Sequence, residues 1–558
     1  MGTSVLHIKT EVECRVYLFD EEKGIAKPGT WFNLEVRKGE QDLLFVSTED
    51  DAVLCFKSYN VEESDRDYKM SLEQSEFFNV NTPATNEEIA NGVEDEYGVV
   101  YSPDGTELLM CSYDNLETYN VEVGCKVIRG SAFRGVGITN ITLPSGLTHI
   151  GGMAFCGCEN LTAITLSASL KHIGEWAFGS CWGLTAITLP ASLTQIGDGT
   201  FSRSSIRSVV NHSPHFSFQD GCLIDVQGKR LIAFLSDKEK VILPAGLTHI
   251  GDYAFQVCWN LTAITLPASL THIGDSAFSM SSIRSVINHS PHFSFQDGCL
   301  IDVQGKRLIA FLSDKEKVVL PAGLTHIGDS AFYECKNLTD ITLPDGLTHI
   351  GDRAFYECNN LTAITLPDSL THIGDSAFCG CENLTAITLP ASLKHIGEWA
   401  FGSCWGLTAI TLPASLTHIG DSAFEGCDNL TDITLPASLT HVGDSAFEGC
   451  WRLTFITLPA SLTHIGNRAF RNCFGLTAIT LPSSLTHIGD SAFEGCEKLT
   501  AITLPAGLTH IGDSAFLGYM NFTVIHIPQG MRKHFEALLP SYLHLRLREP
   551  KLDESLPF

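Results

Sequence analysis

Residues 407–427 read LTAITLPASLTHIGDSAFEGC, and two variable residues complete a unit of 23 residues that recurs along most of the chain. One Phe marks each unit, and the late markers fall every 23 residues, at Phe355, Phe378, Phe401, Phe424, Phe447, Phe470, Phe493 and Phe516. Earlier markers are Phe133, Phe155, Phe178, Phe201, Phe255, Phe278 and Phe332. Self-similarity at a fixed period is typical of a solenoid, and these markers predict about fifteen turns.

The spacing within one unit predicts how each turn is built. Alternate apolar residues of LTAITL supply the inward side of a short parallel strand, and the following Pro ends it. Later Leu, Ile, Ala and Phe fill the interior, and an Asp such as Asp375 or Asp421 is expected to cap a short helical turn on the opposite side. One unit cannot bury this apolar set alone, so neighbouring turns must stack.

Two intervals between markers, Phe201 to Phe255 and Phe278 to Phe332, are 54 residues long. Both contain NHSPHFSFQDGCLIDVQGKRLIAFLSDKEK, which predicts a β-hairpin with its turn at a Gln-Gly pair. A diverged copy, EYGVVYSPDGTELLMC, begins at Glu96 and marks the start of the array. Hairpin insertions are therefore predicted near 96–112, 211–241 and 288–318.

The rest of the chain divides into three segments. Residues 1–72 contain several strand-like runs and predict a small antiparallel β-sandwich, whose strand order is similar to a PEGA-type β-domain. Residues 73–95 are rich in polar residues and predict a linker, which places the repeat array at 96–528. Residues 529–558 show helical spacing and predict a helical cap over the last turn.

The repeat resembles the BspA-like leucine-rich-repeat family. The LPASLTHIGDSAFEGC units and the DGCLIDVQGKRLI hairpin carry this resemblance, which covers about three quarters of the chain. It implies a mainly β, or α+β, leucine-rich-repeat solenoid with a parallel strand and a short helical turn in each unit. It also implies adhesion, binding of host or matrix proteins, and protein-protein contact.

Composition excludes several classes of partner. The formal net charge is -28, from 64 acidic and 36 basic residues, so nucleic acid and anionic membranes would be repelled. No apolar run approaches the roughly 18 residues of a membrane-spanning helix. The N-terminus lacks the basic start and apolar run of a secretory signal, which predicts a cytoplasmic protein, whereas the family resemblance favours the cell surface. The oligomeric state is left open.

Repeated His and Cys residues are the first candidates for chemistry. Thirteen His recur in the THIG position, where a column of imidazoles would bind metal or respond to pH, or would be a copied turn residue. Eleven Cys lie three residues after the marker Phe, close enough between turns for disulfides, but one Cys per turn favours reduced, buried thiols. We therefore predict no metal site and no cofactor.

Each HIGDS unit contains a His, an Asp and a Ser, which suggests a catalytic triad. A triad needs one unique geometry with an oxyanion hole, whereas these residues recur in unit after unit. The alternative of an enzyme or sensor in residues 1–72 has no cluster of acid, base and nucleophile to support it. We predict no catalytic residues and a protein that is not an enzyme.

The tryptophans are the predicted site residues: Trp176, Trp182, Trp259, Trp399, Trp405 and Trp451. Four of them follow the repeat Cys, in a slot that other units fill with Glu, Asp, Asn or Lys, so this slot should face solvent. Exposed Trp is a frequent anchor of protein interfaces. The other interpretation is that these Trp residues shield neighbouring turns or arose when repeat units were duplicated. Duplication is visible in the sequence, because LKHIGEWAFGSCWGLTAITLPASLT occurs at Leu170 and again at Leu393. These features predict a protein-binding scaffold, with a BspA-like adhesin as the alternative.

Overall fold

The computed structural model describes residues 4–18, 21–36, 39–50, 52–61, 67–73, 78–517 and 524–550. The chain divides into two compact units, residues 1–257 and 258–558. Each unit contains stacked turns of a parallel β-solenoid, and the first also contains the N-terminal β-domain. The predicted fold class, a mainly β leucine-rich-repeat solenoid, is confirmed.

The N-terminal domain is a sandwich of two sheets. Its strands are β1 (Ser4–Thr10), β2 (Cys14–Leu18), β3 (Glu21–Ala26), β4 (Trp31–Val36), β5 (Gly39–Ser47), β6 (Val53–Val61), β7 (Asp67–Leu72) and β8 (Phe78–Asn79). One sheet has the order β4-β1-β7 and the other β3-β2-β5-β6-β8. Leu6, Ile8, Val16 and Phe45 are fully buried between them. β1 pairs antiparallel with β4 but parallel with β7, so the sandwich is mixed. The likeness to a PEGA-type domain stays a prediction.

Each solenoid turn contains two short strands, illustrated by residues 407–427. The first is Ala409–Thr411, in which only Ile410 points inward, and we call its equivalents the AIT strands. The second is His418–Ile419, in which Ile419 points inward, and we call its equivalents the HI strands. Both kinds pair in parallel with the same strand of the adjacent turn, which is why the apolar residues form continuous columns.

Among the residues that the structure describes, the AIT strands number six in the first unit and thirteen in the second. In the first unit they are Thr118–Asn120, Asn140–Thr142, Ala163–Thr165, Ala186–Leu189, Ser208–Asn211 and Lys240–Ile242. In the second they are Ala263–Leu266, Ser285–Asn288, Lys317–Val319, Asp340–Thr342, Ala363–Thr365, Ala386–Thr388, Ala409–Thr411, Asp432–Thr434, Phe455–Thr457, Ala478–Ile479, Ala501–Thr503, Val524–His526 and Leu547–Arg548.

The HI strands and their hairpin replacements form the other side. In the first unit they are Val93–Glu94, Val99–Tyr101, Glu107–Cys111, Val127–Ile128, His149–Ile150, His172–Ile173, Gln195–Ile196, Phe216–Gln219, Cys222–Asp225, Arg230–Phe234 and His249–Ile250. In the second they are His272–Ile273, Phe293–Gln296, Cys299–Asp302, Arg307–Phe311, His326–Ile327, His349–Ile350, His372–Ile373, His395–Ile396, His418–Ile419, His441–Val442, His464–Ile465, His487–Ile488 and His510–Ile511.

The insertions change the number of turns. In the second unit Cys299–Asp302 and Arg307–Phe311 pair antiparallel, and Arg307–Phe311 then pairs in parallel with His326–Ile327. Because the last hairpin strand takes the place of an HI strand, the insertion completes a turn of its own instead of interrupting one. The expected fifteen turns are therefore too few, since a 54-residue interval holds two turns.

The side of the turn opposite the strands differs from the predicted helical turn. Successive reverse turns form there, as between Ser376 O and Cys379 N at 3.1 Å. Ser376 has a φ of 54°, a left-handed conformation that a right-handed helix cannot contain. The expectation that Asp375 and Asp421 cap helical turns is wrong. Instead Asp375 Oδ1 accepts a hydrogen bond from the backbone N–H of Glu398 in the next turn, at 2.8 Å.

Two columns of side chains fill the interior. The marker Phe rings of the second unit stack on one another, with centroids 4.8–5.7 Å apart from Phe332 to Phe516. Beside them the repeat Cys residues are unbridged, and from Cys358 to Cys496 each thiol bonds to the Phe carbonyl of the preceding turn, as Cys381 does to Phe355 O at 3.2 Å. Burial raises the pKa of the Cys496 thiol to about 12, so it stays protonated.

The described part of the predicted linker, residues 78–95, is structured. It forms β8, strand Val93–Glu94 and helix α1 (Asn86–Asn91), which begins with a capping box between Thr85 and Glu88. At the other end, helix α2 (Arg532–Leu538) and a 3-10 helix (Ser541–Arg546) precede the final strand, and Phe535 packs into the core of the second unit. Residues 74–77 and 551–558 lie outside the described residues, and a capping role for 529–558 stays a prediction.

Candidate interaction surface

Four of the predicted Trp residues lie on the outer turn that follows the repeat Cys. Trp182, Trp259, Trp405 and Trp451 leave between 38% and 58% of their surface exposed. The fold explains this placement, because the preceding Cys points inward: Cys404 is buried and its thiol bonds to Phe378 O at 3.1 Å. With Cys404 fixed inside, Trp405 must point outward.

An aromatic cluster forms in the second unit where this slot holds two rings in succession. Trp451 and Phe474 occupy the slot in adjacent turns, and their ring centroids lie 6.3 Å apart. Phe474 is exposed, as is Phe455 on the neighbouring AIT strand Phe455–Thr457. We define Trp405, Trp451 and Phe474 as the aromatic edge. Phe474 is not among the predicted site residues. It also follows a repeat Cys, so its position in the unit would have identified it from the sequence.

Charged side chains occupy the position after the marker Phe on the same turns, and they pair with one another between turns. Arg471 bridges its two neighbours in the stack, because its guanidinium lies 3.1 Å from a carboxylate oxygen of Glu448 and 3.1 Å from one of Glu494. The three residues each follow a marker Phe, in consecutive turns. An ion-pair network of this kind holds the outer turns in register beside the aromatic edge.

Trp176 and Trp399 lie elsewhere, in the reverse turn after the HI strand. Both have a φ of 55°. A Cβ on Gly199 would lie 2.8 Å from the Trp176 indole, and one on Gly402 would lie 2.6 Å from the Trp399 indole, so both rings cover glycine backbone. Trp176 also makes an edge contact with Tyr253, with centroids 4.6 Å apart. The structure thus divides the six predicted residues into four at the outer slot and two that pack against the turn.

Trp259 lines a cavity of about 300 Å³ in the second unit. The cavity lies where the insertion meets the following turn, and Arg284, Asp314, Glu334 and Lys336 contribute to its wall. Two ion pairs balance these charges, Arg284 with Asp314 and Lys336 with Glu334, each at 2.9 Å. The cavity is therefore polar, with its charges already paired.

The His, Asp and Ser residues of the repeat bond to different partners. His372 Nδ1 lies 2.8 Å from Thr371 Oγ1, whereas Asp375 accepts from the next turn. Among the described residues, no three or more His, Cys, Asp or Glu side chains surround a common point where a metal ion would fit. Within the same described ranges, no helix combines the length and apolar character needed to cross a membrane.

Stacked short parallel strands, with one Leu-rich apolar set per turn, define a leucine-rich-repeat solenoid. A family model described as a BspA type leucine rich repeat region of six copies matches residues 109–227, 233–304, 310–431 and 417–537. These residues make up more than half of the chain, and the chain belongs to this family, as its repeat motif predicts. No curated protein sequence matches the chain.

Several solved structures are similar. A leucine-rich repeat protein from Eubacterium ventriosum is 21% identical, covers 71% of this chain and 92% of its own, and has a TM-score of 0.39. A leucine rich cell surface protein from Faecalibacterium prausnitzii is 22% identical, covers 66% of this chain and 92% of its own, and has a TM-score of 0.35. The pneumococcal vaccine antigen PcpA is 18% identical, covers 82% of this chain and 93% of its own, and has a TM-score of 0.26.

Proposed function

We propose that the chain is a non-enzymatic protein-binding scaffold and that the aromatic edge is part of its interaction surface. One observation carries this proposal. Trp405, Trp451 and Phe474 are exposed in a slot that neighbouring turns fill with Glu382, Asp428 and Glu497. Aromatic side chains are frequent anchors of protein interfaces, and grouped exposed apolar side chains mark interaction surfaces.

The surrounding scaffold suits this role. The Cys residue before each ring is buried and bonded to the preceding turn, so the backbone beneath the aromatic edge is fixed before a partner arrives. A rigid base lowers the ordering cost that binding would otherwise carry. Trp182 and Trp259 occupy the same slot in other turns and are proposed as further contacts, whereas Trp176 and Trp399 are proposed to position the turn.

The test compares two matched triple variants of the full chain. In W405S/W451S/F474S the aromatic edge is removed, and in E382S/D428S/E497S the same slot is changed in turns where it is charged. We expect a protein captured from native extract by the wild-type chain, and then purified, to bind the charged-slot variant normally and the aromatic-edge variant at least 10-fold more weakly. Equal binding to all three chains would disprove the role of the aromatic edge.

A second candidate function is that of a cell-surface adhesin for host or matrix proteins. Membership of the BspA-type family favours it, because the family resemblance implies adhesion. Fractionation of native cells with an antibody to residues 1–72 tests the location. Protein found in the envelope and cleaved by protease added to intact cells supports the adhesin. Protein found only inside intact cells contradicts it and leaves an intracellular scaffold.

A further inference from the structure

The cavity beside Trp259 lies where two successive turns of the second unit are shorter than the regular repeat. In a full-length turn the AIT strand begins eight positions after the marker Phe, as Asp340 does after Phe332. The interval is seven positions after Phe278 and six after Phe311, the equivalent Phe of the insertion. Because the residues are missing from the outer corner, a recess remains between the full-length turns on either side. We call it the insertion cavity.

An aromatic ring lies on each side of the insertion cavity. Trp259 belongs to the full-length turn before the shortened ones and is 58% exposed. Its backbone is held in place, because the Ser282 N–H donates to Cys258 O at 3.2 Å. Tyr333 belongs to the full-length turn after the shortened ones and stacks on Tyr356, with ring centroids 4.9 Å apart and planes 14° apart. The fold therefore places flat apolar surfaces at the cavity before any ligand arrives.

The charged side chains of the insertion cavity are all paired. Two of its cations form the ion pairs described above, Arg284 with Asp314 and Lys336 with Glu334. The third, Lys315, pairs with Asp297 at 2.8 Å. A charged ligand would have to displace one of these partners, whereas a neutral polar ligand would not. The balance of charge therefore favours a neutral ligand.

Arg284 is fixed in position and keeps hydrogen-bond donors for a ligand. Its Nε donates to Asp314 Oδ1 at 2.9 Å, and its Nη1 donates to the carbonyl oxygens of Ser281 and Ile283 at 3.2 and 2.9 Å. A guanidinium has five N–H donors. Among the described residues no acceptor bonds to Nη2 of Arg284, so this group is a donor whose direction the other bonds already set.

Ser281 also indicates a ligand with hydroxyl groups. It lines the cavity in the position of the repeat Cys, three residues after Phe278. Its Oγ is buried and has no hydrogen-bond partner among the described residues. Polar atoms in a protein interior nearly always have a partner. A ligand hydroxyl in the cavity would give Ser281 Oγ that partner after a rotation about the Cα–Cβ bond.

We propose that the insertion cavity binds a neutral saccharide. A pyranose ring has an apolar C–H face that packs on an indole or phenol ring, and its hydroxyls both donate and accept hydrogen bonds. Trp259 and Tyr333 supply the rings, Arg284 Nη2 donates, and the carboxylates of Asp314 and Glu334 accept. The volume of about 300 Å³ is at the lower end for ligand pockets and suits a short saccharide. The proposal goes beyond protein binding and does not depend on the aromatic edge.

The first insertion differs in the residues that would complete such a site. Gln256 and Val257 follow the marker Phe255 there, where Tyr333 and Glu334 follow Phe332 in the second insertion. The first insertion thus has neither the phenol ring nor the carboxylate at these positions. We therefore expect one saccharide site per chain.

The test screens the full chain against immobilised neutral oligosaccharides of glucose, galactose, mannose and N-acetylglucosamine, with sialylated and sulfated oligosaccharides for comparison. Isothermal titration calorimetry with the neutral oligosaccharide that binds best should then give one site per chain. W259A should weaken binding about 10-fold or more, and W259F, which keeps a ring, should recover most of the loss. W182A changes the equivalent Trp of the first insertion and should bind like the wild-type chain.

A second pair of variants tests the polar side of the cavity. R284Q/D314N removes the fixed donor and an acceptor and should weaken binding about 10-fold. R207Q/D237N removes the equivalent ion pair of the first insertion, which is 2.6 Å long, and should leave binding unchanged. Circular dichroism melting curves confirm that each variant is folded. Absence of binding to every neutral oligosaccharide, binding only to charged ones, or equal losses in the first-insertion controls would overturn the proposal.

Discussion

The His column of the first unit and that of the second begin from the same sequence and end in different environments. In the first unit His149 is only 3% exposed, because the segment after the β-domain lies over it. In the second unit His349 and His372 stack in a similar register but remain open to solvent. The repeat therefore sets the position of a side chain, and the element packed on the repeat decides what that side chain does.

The covering contact in the first unit is specific. Leu44, Val46 and Leu54 of the sandwich pack with Val80 and with Val127 of the first HI strand. Further along, Lys171 Nζ lies 4.6 Å from the Tyr17 ring centroid, and His172 Nε2 lies 3.3 Å from Asn81 Oδ1. These contacts come from two separate turns and fix the β-domain on the column. Breaking them should expose the His column of the first unit to solvent.

The largest expected effect is loss of Arg129, the charged centre of this contact. Its side chain is 3% exposed and pairs with Glu107 at 2.8 Å and Glu88 at 3.2 Å, while Phe78 covers its guanidinium at 4.6 Å. Arg129→Ala leaves the half-buried Glu107 without its partner and should lower the free energy of unfolding by about 3 kcal/mol. Hydrogen exchange of residues 78–95 should rise in the variant.

A matched ion pair in the second unit is the control for that experiment. Lys317 and Asp340 lie 3.5 Å apart and both are mostly exposed, so Lys317→Ala should cost less than about 0.5 kcal/mol. If both variants change stability equally, the Arg129 contact does not hold the cover in place.

A smaller effect is expected from filling the space between the cover and the column. A Cβ on Gly151 would lie 2.0 Å from the carbonyl oxygen of Val80, which is backbone and cannot rotate away. Gly151→Ala should therefore cost about 1–3 kcal/mol, measured by urea unfolding. Gly420→Ala is the matched control, because a Cβ in the same slot of an uncovered turn meets only the preceding turn, with the backbone carbon of Gly397 at 2.6 Å, and it should cost less. Equal midpoints for the two variants would show that the segment moves aside freely.

The pH dependence of stability should also differ between the covered His column of the first unit and the exposed His column of the second. Burial, with the nearby His172 and Lys171, holds the pKa of His149 well below its usual value, so the folded state keeps a neutral ring. The unfolded chain binds the proton first, so stability is complete above about pH 6.5 and falls below it by up to about 1.4 kcal/mol per pH unit. Hydrogen exchange of residues 127–173 between pH 7.5 and 5.5 measures this fall. His149→Gln should flatten it, and an unchanged slope would assign it to other groups.

The sequence predicts the solenoid because each unit repeats the same apolar spacing, and the columns of Phe and Cys confirm that spacing. It underestimates the number of turns because the hairpin Cys299–Asp302 and Arg307–Phe311 has the length of an insertion but the pairing of a turn. It also predicts the wrong hydrogen-bond partner for the repeat Asp residues, for a related reason. Asp375 bonds to the next turn, and contacts between turns are not visible in the pattern of one unit.

The predicted exposure of the outer slot agrees with the structure for Trp182, Trp259, Trp405 and Trp451, since a slot that tolerates Glu and Lys must face solvent. The covering of His149 was not predictable, because it depends on where residues 78–82 dock. The orientation of the His349 and His372 rings was equally hidden, since each Nδ1 contacts a Thr hydroxyl that itself donates to the carbonyl of the preceding turn. The repeat predicts whether a position faces solvent, whereas contacts between separate elements can be identified only in the folded structure.

The smallest expected effect concerns the uncovered surface of the second unit. If side chains there do not support the fold as Arg129 does in the first unit, Trp405→Ala should change the free energy of unfolding by less than about 0.5 kcal/mol. Trp399→Ala is the matched comparison, because its indole covers Gly402, and it should cost more. Thermal unfolding followed by circular dichroism measures both. A Trp405 variant that melts as early as the Trp399 variant would mean that the ring stabilises the turn, and a binding role at the aromatic edge would then lose its physical basis.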